Sequence, residues 1–191
     1  ASIDSVLAEQ PDAVIVAAGS EPKMPEIPGV ETGPVAFVDD VLTQKVEWGE
    51  KVIVLDQDGF HQGPAVAEYL VDQGREVEII TDLYSIGEDM DHFNKPLVYK
   101  RLLSKGVVVT PNTEVREIRE ETVVLKNVYS EEERSVEGVT TIVYAGQRAA
   151  QDSLYKQLKG SVSQLLLVGD AQAPRRIHDA VLSGHMAARK I

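Results

Sequence analysis

The sequence predicts an α/β fold: a Rossmann-like, three-layer arrangement of a parallel sheet with helices, joined by an antiparallel three-stranded meander. Three observations carry that expectation. The stretch from Lys51 to Thr81 reads as strand, loop, helix, strand. Residues 113–138 form three strand-like segments, alternating or running apolar between polar turns. Two apolar runs, Ala13 to Ala18 and Leu165 to Val168, each stop at a glycine, as buried parallel strands do where the chain turns toward a helix or linker.

Taken in order, Ser2 to Glu9 resembles the end of an amphipathic helix, and Ala13 to Ala18 is a buried strand that ends at Gly19. Pro22, Pro25, Pro28 and Gly29 then give an extended linker, because proline fixes φ and pushes its predecessor out of the α region. Asp39 or Asp40 is expected to cap a short helix running to Val46. Val52 to Leu55 is short and β-branched, as in a strand buried on both faces. Pro64 suits the first helical position, Ala67, Leu70 and Val71 repeat on one face, and Gly74 stops the helix. Val77, Ile79 and Ile80 make the second strand of a right-handed crossover unit. Pro96 opens another helix that ends before Gly106, and Val107 to Thr110 is the next strand. The meander comprises Thr113 to Ile118, Thr122 to Asn127 and Arg134 to Gly138, with Glu131, Glu132 and Glu133 at its exposed hairpin. Thr140 to Ala145 and Leu165 to Val168 are the last buried strands, and a final helix is expected from near Pro174.

Composition narrows the function classes. A chain of 191 residues with 43% hydrophobic content builds one or two small α/β domains with a real core. The absence of Cys removes disulfides, Cys-ligated zinc or iron–sulfur clusters, and thiol redox pairs from this chain. The net charge of −12 argues against nucleic acid and anionic membrane, which both require a cationic face. No apolar run has the roughly 18 residues of a membrane span, and the first residues lack a signal-peptide pattern. A soluble, cytoplasmic protein is expected, acting on small ligands or protein partners.

The loop Asp56 to Gly63 is the first place to look for chemistry. A dinucleotide-binding loop carries G-x-G-x-x-G, so that backbone N–H groups and a helix N-terminus approach a pyrophosphate. Here Gly63 keeps the position beside the helix and Gly59 is the other glycine, while Asp56 and Asp58 place negative charge where a dianion lies. The residues describe a nucleotide-binding unit that has lost its nucleotide; a unit that never bound one, or one that still binds NADH, are the alternatives. The second place is Gly169, Asp170 and Ala171. There a helix starting near Pro174 points its N-terminus at the strand end, with Arg175 and Arg176 in its first turn for an anion and Asp170 to accept from a hydroxyl. Glu88, Asp89, Asp91 and His92 read as a solvated acidic loop rather than a cation site, and His178 and His185 are two turns apart, too far to share a metal. No catalytic or metal-ligating residue is assigned.

The segments VIVAAGSEP, PEIPGV, the crossover unit, the meander, VYAGQR and LLLVGDAQAPRRIHDAVLSGHMAAR, in that order, resemble flavoproteins of the glutathione reductase type. More narrowly, they resemble the C-terminal nucleotide-binding domains of the NADH:flavin oxidoreductase group that includes trimethylamine dehydrogenase and 2,4-dienoyl-CoA reductase. The resemblance implies an NAD(P)-binding-like domain at 35–148, inserted in a partial FAD- or ADP-binding-like domain at 1–34 and 149–191. Gly19 matches the family's A-T-G turn, with Ala18 for Thr, and Gly169 and Asp170 match its Gly-Asp pair, whose Asp meets the ribityl chain of FAD. The first strand and glycine loop of that domain do not precede Ala1 in this sequence. The resemblance further implies a parent with an N-terminal FMN-binding barrel and a 4Fe-4S cluster, both outside these residues. In the amine dehydrogenases of the group this inserted domain no longer takes NAD(P)H, and electrons leave to an electron-transfer flavoprotein. The expectation is therefore an ADP or FAD site in an amine-dehydrogenase-like oxidoreductase, with the fragment inactive alone. A working NAD(P)H-binding domain of a dienoyl-CoA-reductase-like enzyme and a non-enzymatic interaction module are the competing readings.

Overall fold

The computed structural model describes residues 1–191 and divides into two units, an inserted one of Met24–Gln147 and a flanking one of Ala1–Lys23 with Arg148–Ile191. The sheet of the inserted unit has five parallel strands in the order β3 (Val35–Phe37), β10 (Thr141–Ala145), β4 (Lys51–Asp56), β5 (Glu76–Ile80) and β6 (Val108–Thr110). All of β10, and β4 from Val52 on, is buried, which only a sheet covered on both faces permits. Alternation sorts their side chains. Val52, Val54, Val143 and Ala145 face one core, which is closed by α2 (Val38–Leu42), α3 (Gln62–Asp72) and α4 (Asn94–Ser104). Ile53, Leu55, Ile142 and Tyr144 face the other, which is closed by the meander of β7 (Thr113–Arg119), β8 (Thr122–Asn127) and β9 (Glu133–Val136). Helices, sheet and meander are the three layers that the sequence predicts.

Helix starts depart from the sequence reading. Asp39 and Asp40 do not cap α2; Phe37 is its N-cap, and the two carboxylates lie in the first turn, where the helix dipole favours them. That helix stops at Leu42 rather than Val46. Pro64 and Pro96 each sit two residues inside α3 and α4, still within the first turn, where the missing N–H had no intrahelical partner to lose. The domain boundary also moves. The linker packs with the inserted unit rather than the flanking segments, because Val30 is buried in its second core and Ile118 N–H donates to Pro28 O at 2.9 Å. Gly29 permits this approach: its φ is +84°, and a Cβ there would lie 1.9 Å from the Ile118 carbonyl oxygen.

The flanking unit comprises α1 (Ile3–Ala8), β1 (Ala13–Val16), β2 (Ser20–Pro22), β11 (Arg148–Ala150), α5 (Ser153–Leu158), β12 (Gln164–Leu167) and α6 (Ile177–Ala188). Ser2 caps α1 through a reciprocal pair with Ser5. β1 and β12 pair in parallel, from Ala13 beside Gln164 to Val16 beside Leu167. β2 and β11 pair antiparallel, from Ser20 beside Ala150 to Pro22 beside Arg148. No helix is long and apolar enough to cross a membrane.

Candidate functional site

In the flanking unit the two parallel strands end side by side, and a glycine in the left-handed region follows each: Gly19 at φ +80° and Gly169 at φ +60°. These turns put Ser20 and Asp170 next to each other. Ser20 Oγ donates to Asp170 Oδ2 at 3.2 Å, while Arg148 Nε donates to Ser20 Oγ at 3.0 Å and Arg148 Nη2 to Ser20 O at 3.1 Å. Guanidinium, hydroxyl and carboxylate thus form one chain of donors and acceptors, each orienting the next. The main-chain N–H of Arg175 donates to Asp170 Oδ1 at 3.3 Å. Each carboxylate oxygen keeps a further lone pair, so Asp170 retains the capacity to accept from the hydroxyl of a ligand. Gly169 N–H is held by Ser183 Oγ at 2.9 Å, which ties the turn to α6.

Two expectations at this site change. Arg175 and Arg176 do not lie in the first turn of α6; they precede it, because Arg176 is extended (φ −91°, ψ 160°) and the helix begins at Ile177. Asp179 Oδ2 accepts the Arg176 N–H at 3.2 Å, so a carboxylate of the chain itself already sits at the helix start where an external anion was expected. Ala171 belongs to a 3-10 turn, Gly169–Ala171, and is fully buried, so only its backbone can face a ligand. Ser20 and Arg148 were not singled out in the sequence. The position of Ser20 directly after a strand-ending glycine was a usable signal; nothing local marks Arg148, whose partners are distant in the chain.

The loop after β4 in the inserted unit is filled by its own residues. Gln57 N–H and Asp58 N–H both donate to Ala145 O, at 2.7 and 2.9 Å, so two amides that a phosphate would need are already used. Asp56 is fully buried, and its carboxyl lies over Gly63, where a Cβ would be 2.6 Å from the Asp56 Cγ. Gly63 therefore makes room for Asp56, not for a ligand. Burial pushes the Asp56 carboxyl up to about 6; the Gly87 N–H, 3.4 Å from Oδ2, opposes the shift, and nearby Asp58 adds to it. Asp56 Oδ1 has no hydrogen-bond partner. Gly59, at φ +64°, accepts from Asp89 N–H at 2.8 Å, which closes residues 86–90 over the loop. Beside the two negative charges, the loop thus has two of its amides hydrogen-bonded within the chain and the space next to Gly63 taken by the Asp56 carboxyl.

Nor do the acidic residues beyond Thr81 converge on a cation. Asp91 instead accepts from Phe93 N–H at 3.0 Å and from Asn94 N–H at 2.9 Å, a capping role ahead of α4.

Comparison with known proteins follows the same architecture. Residues 6–173 match the family described as pyridine nucleotide-disulphide oxidoreductase. Dimethylamine dehydrogenase of Hyphomicrobium sp. is 25% identical over 86% of this chain and 26% of its own length. NADH oxidase of Thermoanaerobacter brockii is 29% identical over 100% of this chain and 30% of its own. A 2-naphthoyl-CoA reductase structure superposes with a TM-score of 0.90 at 27% identity, covering 100% of this chain and 28% of that one. The chain thus spans between a quarter and a third of the length of these relatives, and the resemblance read from its motifs holds. With turns, sheet order, meander and family match in agreement, this chain belongs to the pyridine nucleotide-disulphide oxidoreductase family.

Proposed function

We propose that this chain is the C-terminal nucleotide-domain part of an amine-dehydrogenase-like oxidoreductase that depends on flavin and an iron–sulfur cluster, and that its inserted unit no longer takes NAD(P)H. The observation that carries the reading is the self-filled loop after β4. Gln57 and Asp58 spend their amides on Ala145, and the Asp56 carboxyl occupies the space beside Gly63. The likeness to dimethylamine dehydrogenase supports the amine side of the reading. The flanking unit supplies an ADP or FAD site: Asp170 accepts from a ligand hydroxyl, Ser20 and Arg148 hold Asp170 in place, and Arg175 lies beside it for an anionic group. Substrate oxidation and onward electron transfer belong to the FMN and 4Fe-4S cluster of the parent's N-terminal part. The residues of this chain bind and position. Its partners are the parent's barrel and an electron-transfer flavoprotein.

The reading is tested by calorimetric titration of the chain with NADH, NADPH and ADP, alongside the double variant Asp56→Gly/Asp58→Gly. The unmodified chain is expected to give no saturable heat with either nicotinamide nucleotide. Micromolar binding of NADH or NADPH by it overturns the reading in favour of a working nicotinamide domain, the role that the likeness to an NADH oxidase suggests.

A further inference from the structure

At the end of the parallel strands opposite the Asp56 loop, the inserted unit carries a second cleft. It has a volume of about 510 Å³ and is lined by Gln44, Val46, Trp48, Tyr69, Gln73 and Arg75, with exposed Glu47 at its rim. Trp48 lies just before β4 and Arg75 just before β5, so both project from the strand starts. The Trp48 and Tyr69 rings meet edge to face with centroids 5.9 Å apart and planes at 72°, and both back onto the helix-side core. Tyr69 Oη accepts from Gln44 Nε2 at 3.4 Å, which orients the phenol.

Arg75 makes the cleft more than a hollow between aromatic rings. Its Nε is buried and has no hydrogen-bond partner, and its guanidinium is in no ion pair, although Glu47 borders the same cleft and Glu76 is its neighbour in sequence. Glu76 turns to Lys51 instead, at 3.9 Å. Arg101, Lys105, Arg119 and Arg134 find carboxylates at the surface, whereas Arg75 has a buried donor without one. A buried donor without an acceptor costs about 1–3 kcal/mol, so its retention calls for an acceptor from outside.

We propose that this cleft binds an aromatic carboxylate, with the carboxylate on the Arg75 guanidinium and the ring against Trp48 and Tyr69. The planar fork of arginine matches the two oxygens of a carboxylate, and the volume suits a small-molecule site. Neutral aromatic molecules satisfy the rings but offer the guanidinium at most a single uncharged acceptor; phosphate satisfies Arg75 and leaves the rings unused. The proposal is independent of the nucleotide reading, since the two regions lie at opposite ends of the strands.

Trp48 is the single tryptophan of the chain, so its fluorescence reports on this cleft directly. The probe is benzoate, titrated into the full chain, with benzyl alcohol as the neutral comparison and circular dichroism as the check on folding. A saturable change in Trp48 emission with benzoate is expected, weakened about tenfold or more for benzyl alcohol and in the Arg75→Gln variant, a loss of about 1.4 kcal/mol or more. The absence of a saturable benzoate response overturns the proposal. So does an equal response to benzyl alcohol in the unmodified chain, a comparison that stands even if Arg75→Gln fails to fold.

Discussion

The two units bury their apolar residues to different degrees. In the inserted unit, Val52, Val54, Leu70, Ile79, Leu102 and Val143 are wholly buried, and the inner strands β4 and β10 are covered by the helices on one face and the meander on the other, although Phe93 and Val108 stay exposed. In the flanking unit, the two parallel strands are mostly half-buried, α6 buries only Ala187, and Ile177 and Val181 are 84% and 66% exposed. The sequence patterns of the two are alike, with apolar strands followed by glycine turns and apolar-faced helices. What differs is how much of each pattern meets a partner within these residues. An apolar helix face stabilises only to the extent that something packs on it, so the larger packed core belongs to the inserted unit, while the flanking unit is marked by the hydrogen-bonded chain of Arg148, Ser20 and Asp170.

The contrast is broken most directly by truncating a core side chain. Leu70→Ala should cost about 2–5 kcal/mol in urea unfolding followed by Trp48 fluorescence, since Leu70 is fully buried between α3 and the sheet. A loss well below that range would mean that the inserted unit is less tightly packed than its burial indicates.

Next comes Asp56. Its folded-state pKa of about 6 lies above the ordinary 3.8, so the folded state holds its proton more tightly than the unfolded state does. The contribution is complete at low pH and is lost as pH rises from about 4 through about 6, and the ionised carboxylate then destabilises by up to about 3 kcal/mol. Asp56→Asn should remove this dependence and raise stability at pH 8 relative to the unmodified chain. Parallel pH profiles for the two would show instead that the loop amides compensate the charge.

Gly63→Ala should destabilise by about 1–3 kcal/mol, because its Cβ meets the Asp56 carboxyl, and combining it with Asp56→Gly should recover much of the loss. Thermal unfolding of the two variants measures the coupling. The smallest effect is expected in the flanking unit: Ile177→Ser should shift stability by no more than about 0.5 kcal/mol. A loss of the size seen for Leu70→Ala would show that the exposed face of α6 is covered in solution.

What the sequence disclosed follows from range. The crossover unit, the meander and both glycine turns are legible because each depends on residues close in the chain, such as the apolar run Val123 to Leu125 or the stop at Gly74. The ribbon of β2 and β11 escaped notice because each strand has three residues, one of them Pro22, too few to show a period. Helix α5, six residues beginning at Ser153, buries only Leu158 and so shows little apolar periodicity. Asp39 and Asp40 look like caps by residue type, but tertiary packing of Val38 and Val41 starts the helix at Val38, ahead of both. At the candidate sites, Asp170 and Gly63 were visible as residues, but their roles were set by contacts across the fold: Ser20 and Arg148 on one, the Asp56 side chain on the other.

The chain leaves the flanking unit just past Pro22 and returns at Arg148, and these two residues are direct neighbours across β2 and β11. To the flanking unit, the whole inserted unit is the tip of a hairpin. Closing a flexible loop costs little more as it lengthens, and a folded insert whose ends already lie side by side closes without stretching either unit. The join therefore constrains the insert in one respect only: its two ends must meet at the neighbouring Pro22 and Arg148.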